Sequence, residues 1–452
     1  MTVNEGEDRL LAGWGAGAPV RSRVLSGLDA AQLRELVISR PPRGVLARGG
    51  GRSYGDAAQN AGGYVLLPAG PELIEPDPGA ATVRVGASVT FAALLTRLVP
   101  LGFLLPVLPG TRHLTVGGAI AADVHGKNQH GDGSIARWIE EIELLDGQGG
   151  LHRLTPGGDR AAFLATTGGM GLTGIILAAT LRLRRIRSTL LQVRSHRQPG
   201  LAEVMAAMDG APSQYTVAWI DTTAAGRSLG RGIVELADHL TAADPAREPA
   251  GLAYRAGRAA RAPALPFSPF VPWTARAFNS LWFRKAPAQQ DQAVALPAFF
   301  HRLDAVSGWN RALGRPGIIQ YQLAVPDRGA AVLAEVLDRI RRAGCAPFLG
   351  TLKRFGPASG GPLSFPLPGW SLAVDMPAGH PGLGPLLDGL DDAVAAAGGR
   401  VYLAKDGRLR RDAFDRMYGD LAGWRAVRAQ LDPAGVFQSD LGRRIGLCAR
   451  SR

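Results

Sequence analysis

Cysteine is nearly missing from this chain: 452 residues hold only Cys345 and Cys448. Two isolated thiols give neither a disulfide framework nor the ligand spacing of a zinc site. The eight histidines are scattered, with no HxxxH or HExxH arrangement, so no metal is expected. No run approaches the roughly 18 apolar residues of a membrane-crossing helix. The opening MTVNEGEDRLLAGWG carries acidic residues and no apolar segment, which argues against a Sec-type signal peptide. A cytoplasmic or membrane-associated location is expected, with the periplasmic face open as an alternative. Charged residues are sparse too, 20% against 46% hydrophobic, the balance of a packed globular protein. At this length two domains are expected.

Acidic residues are the minority charge, 38 against 51 basic, for a net +13. Such an excess raises the question of nucleic acid. The arginines are mostly dispersed, however, and no recognition-helix or finger motif appears, so nucleic acid is not an expected partner. One segment differs. Between 249 and 290 lie Arg255, Arg258, Arg261, Arg276, Arg284 and Lys285, with no acidic residue. Tyr254, Phe267, Phe270, Trp273, Phe278, Trp282 and Phe283 are interleaved with them. As a flexible loop, this composition suits an anionic membrane surface or a lipid phosphate. A proline-rich surface loop is the plain alternative.

Glycine, by contrast, is abundant and clustered. ARGGGRSYGD (47–56), LPVLPGTRHLTVGGAIAADVHGKNQH (105–130) and TTGGMGLTGII (166–176) are the three rich segments. Glycine lets a backbone approach a ligand closely and turn its N–H groups toward an anion. Three such segments within about 180 residues point to a large phosphate-bearing ligand, a dinucleotide such as FAD. Arg48, Gly49, Gly50, Gly51, Arg52, Ser53 and Tyr54 offer donors and a cation for a pyrophosphate. Gly110, Thr111, Thr115, Gly117, Gly118 and Ala119 offer a second tight turn, continued by Gly126 and Asn128. Gly171, Gly174 and Ile175 belong to the third. Gly169-x-Gly171-x-x-Gly174 fits the Rossmann spacing, but a helical pattern precedes it and a strand follows, the reverse of what that fingerprint needs.

The pattern predicts a helix from Asp29, with Gln32 completing a capping box and Leu33, Leu36 and Val37 inward. Strands follow at VLAR and TVRVG (82–86), a helix at 89–98, and a hairpin of 139–145 with 151–154 turning at Asp146-Gly147. One strand is read over 175–185. After about 190, strand–helix pairs at 317–325 with 328–343 (capped by Asp327, ended by Gly344) and 370–376 with 384–397 suggest a mostly antiparallel sheet backed by helices. The fold class is α+β. Alternation puts Gln320 with Gln322, Thr351 with Lys353, and Leu403 with Lys405 on single strand faces. Polar residues at that spacing must face water, a partner or a ligand.

These motifs carry a resemblance. ARGGGRSYGDAAQN, VLPGTRHLTVGGAIAADVHGKN and GGMGLTGII resemble the FAD-binding domain of vanillyl-alcohol-oxidase (PCMH-type) flavoproteins. WNRALGRPGIIQYQ, LKRFGP, PLSFPLPGW and YLAKDGR extend the similarity, from residue 14 to about 442, to the branch of decaprenylphosphoryl-β-D-ribose 2′-oxidases. The resemblance implies an FAD-binding domain over 1–189, a substrate domain over 190–400 and a returning C-terminal segment over 401–452. It implies FAD held non-covalently, since the histidine that anchors flavin in many relatives is here Arg52. It implies oxidation of a polyprenyl-phosphoryl ribose at the 2′-hydroxyl, an NADH-dependent keto-reductase as partner, and a peripheral membrane setting. Lys405, His125 and Tyr54 are the implied catalytic residues; Gln320, Gln322, Lys353 and Lys127 the implied substrate contacts. Two departures stand out. Ala373 replaces the cysteine that covalent nitroaromatic inhibitors attack, and Cys345, read as lying in another strand, cannot substitute for it. Leu313 replaces a frequent tyrosine. An oxidase of a soluble polyol or aldonolactone, and a non-catalytic flavin-binding partner, are the alternative readings.

Overall fold

The computed structural model describes residues 6–67, 72–240, 252–257, 259–419 and 421–448. The first five residues of the opening segment, and residues 249–251 and Arg258 of the basic-aromatic segment, lie outside them.

The first helix, Ala30–Ile38, forms where its cap requires. The Asp29 carboxylate accepts from Gln32 N at 2.8 Å, and Gln32 Oε1 accepts from Asp29 N at 3.0 Å. Leu33, Leu36 and Val37 join Leu25, Val45 and Leu66 in one buried cluster. The last three belong to a four-stranded sheet ordered Glu7–Leu11, Val20–Ser26, Tyr64–Leu67, Val45–Ala47. Leu145, Ile175 and Leu177 bring a second sheet to the same cluster. That sheet is antiparallel, ordered Ile74–Asp77, Thr82–Gly86, Ile175–Arg182, Ile139–Leu145, Leu151–Leu154. Two local expectations change here. The Asp146-Gly147 turn is a longer loop in which Gly149, not Gly147, is left-handed and Asp146 Oδ1 accepts from Gln148 N and Gly150 N. The single strand over 175–185 divides, because Arg184–Arg185 leaves to pair with Phe103–Leu104.

The largest sheet has eight antiparallel strands. In spatial order they are Gln289–Ala295, Leu190–Gln198, Gly232–His239, Tyr215–Ile220, Leu349–Phe355, Gly369–Pro377, Ile318–Val325 and Arg400–Val401. Helices Leu201–Met208, Val332–Arg342 and Leu383–Ala396 bury apolar stripes in the core shared with it. The second helix begins at Val332 rather than 328. Asp327 does not cap it: its carboxylate accepts from Arg354 at 2.6 and 3.1 Å, and a 3-10 turn, Asp327–Gly329, intervenes. Gly344 does end it, at φ +70°. Cys345 lies in the connection before the next strand, not in a strand.

Two further corrections concern functional segments. The basic-aromatic segment is not simply a loop, since Pro272–Lys285 is a 14-residue helix. VYLAKDG is not a continuous strand either: after Arg400–Val401 the chain turns, with Lys405 N and Asp406 N both donating to Tyr402 O. The C-terminal segment then packs back onto the N-terminal region, on helix Arg160–Thr166 and on the strand at Val45. Trp424 Nε1 donates to Ala165 O at 3.1 Å, and Phe437 bridges to Val45.

Candidate active site

One face of the eight-stranded sheet forms a wall. Gln290 and Gln292, Ser195, Ile233 and Glu235, Val217 and Trp219, Leu349, Thr351 and Lys353, Ser371 and Ala373, and Gln320 and Gln322 alternate along seven strands and line one cavity. The three glycine-rich segments line it too. Its volume is about 1450 Å³, above the roughly 300–1,000 Å³ of a site for one small ligand.

The glycine segments are shaped by close approach. A Cβ on Gly49 would overlap the Thr115 hydroxyl. Gly51 holds φ +61°, a left-handed conformation that glycine adopts freely. Arg48, Gly49, Gly50, Gly51, Arg52, Ser53, Tyr54, Gly110, Thr111, Thr115, Gly117, Gly118, Gly126, Gly171 and Gly174 all line the cavity. Ala119, Asn128 and Ile175 do not. Ala119 and Ile175 are packed in the core, and Asn128 Nδ2 donates to Pro106 O and Asp132, bracing the turn from behind. Arg48 is committed as well, with its guanidinium on Ala58 O and Ala12 O, both at 2.7 Å. Arg52 lies over the Trp14 ring at 4.1 Å, and its buried Nε has no partner. A glycine cradle, an unpaired guanidine nitrogen and this volume fit a dinucleotide.

Lys405, His125 and Tyr54 converge on the same cavity with Gln320, Gln322, Lys353 and Lys127. Lys405 Nζ sits 4.0 Å above the Tyr54 ring centroid. Its turn is pinned to the first glycine segment, because Tyr54 N donates to Ala404 O at 2.9 Å and Gly55 abuts Asp406 O too closely for a Cβ. Burial lowers the Lys405 ammonium from the ordinary lysine value, Asp375 opposes that, and Lys353 adds to it. Lys353 is pushed down to about 8 by burial alone. Its side chain is half-buried, the free part facing the cavity. His125 is held well below its usual value by burial, then by Lys353 and Lys405, so the ring is neutral. Gln322 Nε2 lies 3.1 Å from His125 Nε2 and 3.3 Å from Ser371 Oγ. With the amide donating, Nε2 accepts and the ring proton rests on Nδ1, which is buried without a partner. Lys127 Nζ donates to Phe299 O at 2.7 Å beside Glu235, and burial brings it to about 7.

Three acidic residues at the site escaped the sequence reading. Glu235 receives Arg302 at 2.6 Å. Asp304 accepts from Thr111 Oγ1 and Arg112 N, both at 2.8 Å, fixing the second glycine segment. Asp375, 1% exposed, accepts from Gln320 Nε2 at 2.9 and 2.8 Å. An acid inside the apolar run SLAVDMP was the signal for the last.

Comparison with known proteins decides the family. The chain is 38% identical to the decaprenylphosphoryl-β-D-ribose oxidase of Mycolicibacterium smegmatis, over 97% of each chain. The chain belongs to the decaprenylphosphoryl-β-D-ribose oxidase family. It is also 42% identical to an uncharacterised protein of Streptomyces coelicolor, over 79% of this chain and all of the other. A local match of 32% identity to an alditol oxidase of Streptomyces covers 32% of this chain and 35% of that one. Residues 36–155 match the FAD binding domain family, and 380–445 match the D-arabinono-1,4-lactone oxidase family. As a member of this oxidase family, the protein is an FAD-dependent oxidoreductase of the two-domain, α+β type of vanillyl-alcohol-oxidase flavoproteins. No described helix is long and apolar enough to cross a membrane, and no described cluster of three or more His, Cys, Asp or Glu could hold a metal.

Proposed function

We propose that this oxidase converts the 2′-hydroxyl of a polyprenyl-phosphoryl-β-D-ribose to the 2′-keto sugar, the first half of an epimerisation toward the arabinose sugar. The observation that carries the reading is Lys405 stacked on Tyr54 at the wall where Gln322 holds a neutral His125. FAD, when bound, supplies the acceptor for the hydride leaving the carbon. The protein's part is proton chemistry and placement. Lys405, as the neutral amine, accepts the hydroxyl proton. The Gln320 carbonyl supplies an acceptor to orient the sugar, and the neutral His125 ring borders it. Lys353 and Lys127 supply cations for the adjoining phosphate.

Residues 1–189 would carry the cofactor, 190–400 the substrate, and 401–452 the lysine-bearing segment that returns to the first. The apolar rim of Phe270, Phe278, Trp282, Trp309 and Leu313 suits a polyprenyl chain. Helix 272–285 exposes Trp273 (72%) and Leu281 (68%) beside Arg276, Arg284 and Lys285, a composition for an anionic bilayer surface. The keto product requires a reductase, NADH-dependent in this reading, to finish inversion.

The test is an anaerobic spectrum of the purified flavoprotein before and after a short-chain polyprenyl-phosphoryl ribose is added. Bleaching of the oxidised-flavin band supports the reading. A normal flavin band that does not bleach moves the substrate to another sugar or polyol.

A further inference from the structure

Asp375 stands on the cavity side of the sheet but is covered and does not line the cavity. It follows Ser371 and Ala373 on the same face of strand Gly369–Pro377, and in register it pairs with Gln320 on one side and Leu349 on the other. Those neighbours reach the cavity, while Asp375 is covered. A buried carboxylate costs several kcal/mol unless donors and a counter-charge compensate it. Gln320 gives a neutral amide to both oxygens. The Tyr54 phenol faces Asp375 as well, its ionisation opposed first by burial and then by that carboxylate. On the face of that same ring rides Lys405, the cation nearest in effect to Asp375. Carboxylate and ammonium thus meet the same phenol, the ammonium on its ring face. A phenol whose proton is drawn toward an anion presents a more negative face to a cation.

We propose that Asp375 is a positioning residue for proton transfer: through Tyr54 it fixes where Lys405 sits. The proposal rests on the reading of Lys405 as proton acceptor, and it names a residue that touches neither substrate nor cofactor. The charged and titratable groups facing Lys405 are few. Tyr54 comes from the first glycine segment, Lys353 from strand Leu349–Phe355, and Asp375 from the strand beside it. His125, from the second glycine segment, faces both lysines and is neutral. Asp406 adjoins Lys405 in sequence but turns away, accepting from Arg408 N, Leu409 N and Arg444. Arg52 meets the Tyr54 side of the stack. Of these, Asp375 is the anion that favours the ammonium, and Lys353 is the cation that opposes it.

The experiment uses the full-length, FAD-loaded protein with Asp375→Asn, Asp375→Ser and Asp375→Glu. The titration of Lys405 is followed directly, as the pH dependence of its reaction with acetic anhydride, read by mass spectrometry of the peptide that contains it. Loss of the anion in the Asn and Ser variants should lower the Lys405 midpoint by about one pH unit or more, while Glu keeps it near that of the parent. The pH profile of anaerobic flavin reduction should shift the same way. An unmoved labelling midpoint in a neutral variant that retains FAD overturns the proposal. So does loss of FAD from both neutral variants, which would assign Asp375 to the fold. A labelling midpoint that moves while the reduction profile stays fixed supports the coupling and removes Lys405 from the role of base.

Discussion

At the scale of single residues, the site gathers cations with unequal compensation. Lys127 has Glu235 and Lys405 has Asp375, whereas Lys353 titrates under burial alone. Its folded value, about 8, lies below the unfolded one, so the unfolded chain binds the extra proton between those two values. The charge-burial cost is therefore full at pH 7 and fades as pH rises above 8. Lys353→Met should raise the melting temperature at pH 7 by about 1–2 °C, discounted for the part of the side chain facing the cavity. That gain should shrink toward pH 10 in differential scanning fluorimetry, while affinity for a phosphorylated substrate falls. Lys405→Met should slow anaerobic flavin reduction about 10²–10⁴-fold. In the parent, the proposed role of the neutral amine as proton acceptor predicts a rate that climbs with pH around a midpoint below the ordinary lysine value of about 10.4. Ala373 sits on the cavity wall without a thiol. Cys345 is elsewhere, near His380 and raised to about 11 by burial, and Cys448 is buried. Mass spectrometry after incubation with a nitroaromatic inhibitor and turnover should find no covalent adduct in this pocket. Spacing by two made Gln320, Gln322 and Lys353 legible on their strands, but it placed Lys405 for the wrong reason. That lysine is aimed by a turn whose hydrogen bonds leave no mark on hydrophobic alternation.

At the scale of elements, what could be read was what local chemistry fixes. The Asp29–Gln32 box set a helix start, and the apolar stripe Leu333, Val336, Leu337, Ile340 set another helix to within a turn. Helix 272–285 went unread because its periodicity is inverted. It buries Ala275 and Asn279 and exposes its large side chains, so the usual apolar-inward stripe does not appear. Its outward face gives a direct test. Trp273→Ser with Leu281→Ser should weaken binding to anionic phospholipid vesicles about 10-fold or more, since each side chain is worth about 1.5–3 kcal/mol on full burial. Co-sedimentation measures this, and the flavin spectrum should be unchanged. Asp304 shows the complementary blind spot: it holds the second glycine segment by bonds across 192 and 193 positions of sequence, and no short window contains both partners.

Across the whole molecule, the returning chain end ties the first glycine segment to the turn that carries Lys405. Arg444 donates to Asp56 at 2.7 and 2.9 Å and to Asp406 at 2.9 Å, bridging the first glycine segment and the turn that carries Lys405. Removing the guanidinium leaves a carboxylate buried at Asp406, 2% exposed, without its cation. Arg444→Met should cost about 3–5 kcal/mol, read as a lower melting temperature and lower FAD occupancy. The resemblance implied a returning C-terminal segment, but not what it would clamp, because long-range ion pairs have no local signature. Arg52 in the place of an anchoring histidine predicts that acid precipitation releases all FAD into the supernatant. The rim of the cavity has a last consequence. Phe278 and Trp282 belong both to the exposed face of helix 272–285 and to the cavity lining. An enzyme that meets its substrate along such a face works in two dimensions. Its rate should follow the mole fraction of substrate within the lipid sheet, so adding bare lipid at constant total substrate should slow turnover by surface dilution alone.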